Sequence, residues 1–322
     1  MLAPVSDDQQ TTRHLLMIRP SHFGPNAETA SSNQFQQPTG LATTELSGLA
    51  IREFDGVVAA LDRAGVQPFV VADVPDGGTP DAVFPNNWIS THNDGSVVLY
   101  PMAAASRRRE RRLDILGLLA AEAGFRIRRV IDLSSLEKSG KYLEGTGSMV
   151  LDRLHRTAYA ARSARTHDEV LAEFARLVGY RIVTFSASLV AGQPVYHSNV
   201  LMSLGQHVAV LCADVISDPA ERRAVCAEIM ASNRSLVAVS REQLLCFAAN
   251  CLELDSAGGP LMVLSQTALH SLRPEQRRAL ERHVSLLPVA IPVIEHVGGG
   301  SVRCMLAEIY LPHATKLDSL SV

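Results

Sequence analysis

A thiol, an imidazole, a carboxylate and a few side-chain amides are the groups of this chain whose types and surroundings could do chemistry. Cys304 ends a glycine-rich run in residues 294–312, IEHVGGGSVRCMLAEIYLP, and an apolar, strand-like stretch (residues 305–311) follows at once. Glycines open backbone conformations closed to other residues and let a ligand come near. Amides of such a loop can bind an oxyanion and favour a thiolate. A cysteine placed there is a candidate nucleophile. The bland alternative is a small buried hydrophobe, which is how Cys212, Cys226, Cys246 and Cys251 read, all in apolar strand or helix contexts. His197, in PVYHSNVLMSLG, stands where a loop enters a strand, a suitable place for an acid–base group. His296 is its rival and ranks second, because neighbours in sequence across a glycine loop are not neighbours in space. Glu144, in KYLEGTGSMVLD, precedes a Gly-Thr-Gly turn that can hold a carboxylate inward; otherwise it is a surface glutamate beside a turn. Asn86 and Asn87, in FPNNW, and Asn199, two residues after His197, are pocket amides or simple turn formers.

These groups need elements to position them, and the sequence supplies a recurring set. HLLMIR (residues 14–19) reads as a first buried strand and residues 44–64 as an amphipathic helix ending at Gly65. The asparagine-, glutamine- and serine-rich residues 21–43 between them read as a long loop near the site. A helix followed by a short β-rich strand then recurs at intervals of roughly 50 to 60 residues, with strands in VQPFVVAD, FRIRRV, YRIVTF, SLVAV and SLLPVAI. Hairpins lie between them, as in NNWIS with SVVLYP around an Asn-Asp-Gly turn. The others are GSMVLD with HRTAYAAR, SNVLMSLG with HVAVLCAD, and CLELD with PLMVLS; the last is split between the termini, RCMLAEIYL pairing with HLLMIR. The unit is strand, strand, helix, strand. Five units closed by pairing the two chain ends predict an α/β ring, against the alternative of an ordinary α/β sandwich. In that ring Asn87, Glu144, His197 with Asn199, and Cys304 all stand where a hairpin's first strand begins, so they face one centre.

Bulk properties exclude several classes. With 322 residues, 47% hydrophobic and 20% charged, the chain can bury a sizeable core. A net charge of −3 argues against nucleic acid or an anionic membrane as partner. The one dense basic run, RRRERR at residues 107–112, reads as a solvated helix face. There is no apolar run of about 18 residues and no secretory leader. Residues 1–12 read as a loose terminus and residues 13–322 as one five-repeat domain. Five cysteines without close pairs suit a reducing cytoplasm. Neither metal-ligand spacing nor a phosphate-loop fingerprint occurs, so no cofactor and no metal is expected; the partner is a small molecule, and the oligomeric state is left open.

In order, MIRPSHFGPN, VFPNNWIS, YLEGTGSMVLD, PVYHSNVLM and GGGSVRCMLAEIYLP resemble the guanidino-group-modifying (amidinotransferase/arginine deiminase-like) superfamily. Within it they look most like citrulline-utilisation hydrolases and dimethylarginine dimethylaminohydrolase-like proteins. The resemblance spans residues 13–312. It implies a five-bladed α/β propeller (pentein) of ββαβ repeats around a central active site, and a Cys-His-Glu set falling on Cys304, His197 and Glu144. Where arginine-acting relatives place two carboxylates, this chain has Asn87 and Asn199, with Asp81 and Asp94 as other possible carboxylates. A guanidinium offers five N–H donors and a charge, whereas a ureido group adds a carbonyl acceptor, which amides suit. The resemblance therefore implies a cysteine hydrolase, first of citrulline, giving ornithine, CO2 and ammonia. The alternatives are an amidinotransferase, an arginine deiminase or a dimethylarginine dimethylaminohydrolase-like enzyme, and more remotely a non-catalytic binding pentein. Arg19 or His22 is a candidate for the substrate carboxylate.

Overall fold

Each of five three-stranded sheets has the same form, an antiparallel pair, then a helical crossover, then a strand parallel to the pair's second member; in four of them the pair is a hairpin. The computed structural model describes residues 8–75, 77–190 and 192–314. The strands in chain order are β1 (His14–Arg19), β2 (Gln67–Ala72), β3 (Ile89–Thr91), β4 (Ser96–Leu99) and β5 (Arg129–Asp132). Next come β6 (Met149–Asp152), β7 (Thr157–Ala161), β8 (Arg181–Phe185), β9 (Ser188–Val190), β10 (Gln193–Pro194), β11 (Met202–Leu204) and β12 (Val208–Leu211). The last are β13 (Ser235–Ala238), β14 (Leu252–Ser256), β15 (Gly259–Ser265), β16 (Ser285–Val289) and β17 (Ala307–Glu308). The sheets run β3-β4-β5, β6-β7-β8, β11-β12-β13, β14-β15-β16 and β17-β1-β2, with β9-β10 a small separate pair. The last of the five joins the two ends of the chain as expected, with Leu15 opposite Glu308 antiparallel and Leu16 opposite Phe69 parallel.

The helix Thr43–Arg63 shows why the crossovers form. Leu46, Ala50, Phe54, Val57 and Leu61 recur on one face and are buried against Leu15 and Met17 of β1. Fully burying each large side chain is worth about 1.5–3 kcal/mol, far more than helix propensity. Gly65, at φ +80°, ends the helix and lets the chain drop into β2.

Three expectations need correction. The segment after Cys304 is strand only at Ala307–Glu308, and Cys304 itself sits on a tight helical turn, Val302–Met305. The described part of the N-terminus is anchored, not loose: Gln10 Nε2 donates to the carbonyls of Leu151 (3.0 Å) and Leu204 (3.1 Å), and Thr11 Oγ1 to Asp255 (2.6 Å). Those bonds tie the chain start across three sheets; residues 1–7 lie outside the described residues. The basic run 107–112 is not a solvated face. Arg107 and Glu110 are buried, and Arg108, Arg109, Arg111 and Arg112 each donate to backbone carbonyls of neighbouring segments. Planar guanidinium forks staple loops here, a use that a charge count does not reveal.

Candidate active site

Short turns that lead into the hairpins carry the site. Asn87 lies on Pro85–Asn87 before β3, Glu144 caps Gly145–Ser148 before β6, His197 caps Ser198–Leu201 before β11, and Cys304 lies on Val302–Met305 before β17. One-turn helices have no stability of their own; these hold because they pack on one another. Gly145–Ser148 packs against both Pro85–Asn87 and Ser198–Leu201, and Val302–Met305 against Pro85–Asn87. Gly147 makes that approach possible, since a Cβ there would stand 2.2 Å from Asn87 Nδ2 and 2.7 Å from His197 Nδ1. Gly299, at φ +63°, has the side chain of Asn33 at 2.6 Å from where its Cβ would be.

His197 Nε2 lies 2.8 Å from Glu144 Oε2, and both groups are buried. Glu144 Oε1 accepts the N–H of Ala103 at 3.1 Å, and Oε2 also receives Arg165 Nη1 at 3.4 Å. Burial works to raise the Glu144 carboxyl, but Arg165, the His197 hydrogen bond and Arg107 outweigh it and hold the group well below the usual carboxylate range. Burial pushes His197 the other way, down to about 4 despite Glu144. An ionised carboxylate only accepts, so the neutral ring carries its proton on Nε2 and presents the Nδ1 lone pair. A carboxylate alone would favour a charged imidazole; here desolvation exceeds the attraction of one carboxylate and leaves an oriented neutral ring.

Cys304 Sγ receives two amide donors, Asn199 Nδ2 and Asn250 Nδ2, each at 3.4 Å. Around it is a cavity whose walls include Asp81, Asn87, Arg107, Arg165 and His197. At about 10 Å³ it has room for one water, so a substrate enters only if a wall moves. Part of that wall is the loop expected near the site. Thr29 and Asn33 line the cavity, Arg165 donates to Ser32 Oγ (2.6 Å) and Thr29 O (3.3 Å), and Asn33 Nδ2 donates to Gly298 O (3.2 Å).

Arg107 Nη1 donates to Asn87 Oδ1 at 2.8 Å, while its other nitrogens reach Glu110 and Phe84 O. Two buried atoms of residues lining the cavity have no partner, Asp81 Oδ1 and Asn87 Nδ2; Asn199, whose Nδ2 donates to Cys304 Sγ, also has an unpartnered buried Oδ1. Asp81 Oδ2 accepts from Asn26 Nδ2 at 2.8 Å, and burial, the largest influence, raises its carboxyl although Arg107 opposes it. An unpartnered buried polar atom carries the full cost of its lost hydration, so the Asp81 and Asn87 atoms mark where a polar ligand would bind.

Thus Cys304, His197, Glu144, Asn87 and Asn199 come together. Asn86 does not line the cavity; its Nδ2 donates to Thr146 Oγ1 (3.3 Å), joining two turns. His296 faces Pro38 O on the exposed side, Arg19 is paired with Asp55 at the surface, and Asp94 caps its own hairpin turn at Ser96. His22 lines a different cavity. Sequence reasoning missed Arg107, Arg165 and Asn250. Asn250 had a signal: it stands just before the hairpin strand CLELD, where the other units carry their polar groups. The two arginines had none, because only tertiary packing separates them from surface arginines.

Residues 19–311 match the family described as N,N dimethylarginine dimethylhydrolase, eukaryotic. The chain belongs to that family. Like the family it belongs to, this protein is a hydrolase acting on non-peptide C–N bonds. No curated protein matches the chain by sequence. Among solved structures, a variant of the N-terminal domain of ArgZ bound to substrate, an arginine dihydrolase from the ornithine-ammonia cycle in Cyanobacteria, is similar at 16% identity and TM-score 0.71. That likeness covers 92% of this chain and 99% of the other. Unliganded AgrE is similar at 16% identity and TM-score 0.71, covering 94% of this chain and 40% of AgrE. A dimethylarginine dimethylaminohydrolase variant in an adduct with S-methyl-L-thiocitrulline is similar at 15% identity and TM-score 0.59, covering 92% and 99%.

Proposed function

We propose that this family member is a cysteine hydrolase of citrulline, releasing ornithine, CO2 and ammonia. The observation that carries the reading is the orientation of Asn87. Arg107 can only donate, so it takes the Oδ1 end and leaves Nδ2 as an unpartnered donor at the cavity. A guanidinium has no acceptor to offer that donor, whereas a ureido carbonyl does. Asn199 Oδ1 and Asp81 Oδ1 are free to accept the ureido N–H groups. The Asp81 carboxylate also favours a second reading, hydrolysis of arginine or a derivative, since a bound guanidinium would ionise it.

In this mechanism His197 Nδ1 takes the Cys304 proton, and the thiolate attacks the ureido carbon. The C–N bond to the ornithine nitrogen breaks as the imidazolium returns its proton to that nitrogen, leaving a carbamoyl thioester on Cys304. His197 then deprotonates water, which attacks the thioester. The thiol is regenerated, and the carbamate decays to CO2 and ammonia. Glu144 orients the ring and offsets the charge it gains.

The fold is read as a closed five-bladed propeller, supported by five like sheets, the shared first and last strands, and the packing of successive turns. A cytoplasmic location is supported by five unpaired cysteines, and none of the described helices is long and apolar enough to cross a membrane. The test is to incubate the protein with citrulline, arginine, methylarginines and acylarginines and identify products by mass. Ornithine from citrulline is expected; consumption of arginine with citrulline left intact overturns the assignment.

A further inference from the structure

Four of the five hairpin units supply a group whose place in the mechanism is stated above; the β14–β15 unit supplies Asn250. We infer that Asn250 is a catalytic residue that holds the Cys304 sulfur as a thiolate, both before attack and as it leaves the thioester. The amide's orientation is determined without reference to sulfur. Its Oδ1 accepts the N–H of Arg303 at 3.1 Å, so Nδ2 is the donating end, and it reaches Cys304 Sγ at 3.4 Å and Asn199 O at 2.9 Å. Oδ1 is farther from the sulfur, at 3.8 Å, where it accepts no more than a long contact from the thiol. With Asn199 Nδ2 also at 3.4 Å, the sulfur faces two N–H donors from two different units. That environment stabilises a thiolate more than a thiol, because an anion accepts stronger hydrogen bonds.

The backbone that delivers Asn250 is unusual in the same sense. Phe247 holds φ +58°, the left-handed region that bulky residues avoid, and the Asn250 N–H closes onto Phe247 O at 2.9 Å. Such strain persists only where the surroundings impose it, and it gathers at functional sites. Here the Phe247 ring packs on Phe35 of the covering loop, centroids 5.1 Å apart. A purely structural amide would satisfy Arg303 and Asn199 and leave the ionisation of Cys304 untouched.

The inference rests on Cys304 being the nucleophile but not on which substrate it attacks, so its deciding measurement uses no substrate. Iodoacetamide alkylation is followed against pH, read by mass at the peptide containing Cys304, in the full chain and in Asn250→Asp and Asn250→Ser. Asn250→Asp keeps an acceptor for Arg303 and turns lone pairs toward the sulfur; Asn250→Ser shortens the donor. Alkylation at neutral pH should slow by roughly tenfold or more and its pH profile move upward, most in Asn250→Asp. With citrulline, kcat should fall by a similar factor and KM by less than about twofold either way. An unmoved alkylation profile in either variant that retains the wild-type circular dichroism overturns the inference. Failure of citrulline as a substrate, with the profile moved, would overturn the proposed substrate and leave Asn250 in place.

Discussion

Arg107 determines which end of Asn87 faces the cavity, through a hydrogen bond of 2.8 Å between two side chains that are both buried. On the proposed function, the choice between a ureido and a guanidinium head lies in a pair of residues, not in Asn87 alone. Asn87→Asp combined with Asn199→Asp replaces a donor and a neutral acceptor with carboxylate oxygens. The ratio of kcat/KM for citrulline over that for arginine should fall by about tenfold or more, since each charge-assisted bond is worth about 1.5–3 kcal/mol. Competition assays with both substrates measure it; an unchanged ratio means these amides do not read the charge.

Cys304→Ser should lower citrulline turnover by at least about 10³-fold, because a serine hydroxyl beside a neutral imidazole is a far weaker nucleophile than a thiolate. In the unaltered chain, acid quenching during turnover should add the mass of a carbamoyl group to the peptide holding Cys304. A variant that hydrolyses normally would remove the cysteine from the mechanism.

The pH dependence follows from His197, held at about 4 by burial against an ordinary 6.5. Between those values the unfolded chain binds a proton that the folded one refuses, so His197 makes stability fall as pH drops through that window. Its contribution is constant above about 6.5 and below about 4. The acid limb of kcat/KM should likewise lie near 4, where the base becomes protonated. Glu144→Gln removes the carboxylate that orients the ring and offsets its charge, and kcat should fall by about 10²–10⁴-fold. Urea midpoints at pH 7.5 and 5, and pH–rate profiles of both proteins, check these directions.

Gly147→Ala should reduce activity by about 100-fold or more, since the added methyl would collide with Asn87 Nδ2 at 2.2 Å and His197 Nδ1 at 2.7 Å. Gly117→Ala is the control. It lies within the helix Asp114–Ala121 with nothing within 4 Å of its Cβ position, and should gain about 0.4–1 kcal/mol of stability with activity unchanged. Thermal melts and citrulline assays of both variants separate the two effects.

The sequence by itself determined the order of hairpins and crossover helices, because their apolar periods and turn residues are local. That order implied the pairing of His14–Arg19 with the strand after Cys304, since an open end would leave both edges unpaired. It also placed Asn87, Glu144, His197, Asn199 and Cys304 at like positions, which is why they meet. Tertiary structure alone decided what each meets. Arg107 lies in a run of arginines that reads as surface, and only the packing of Pro85–Asn87 and Glu110 around it makes it the group that turns Asn87. Burial, a sum over distant segments, makes His197 neutral where the adjacent carboxylate suggested charge. Asn250 was legible by position but not by chemistry, because its amide gains meaning only when Arg303 takes one end and the Cys304 sulfur lies at the other.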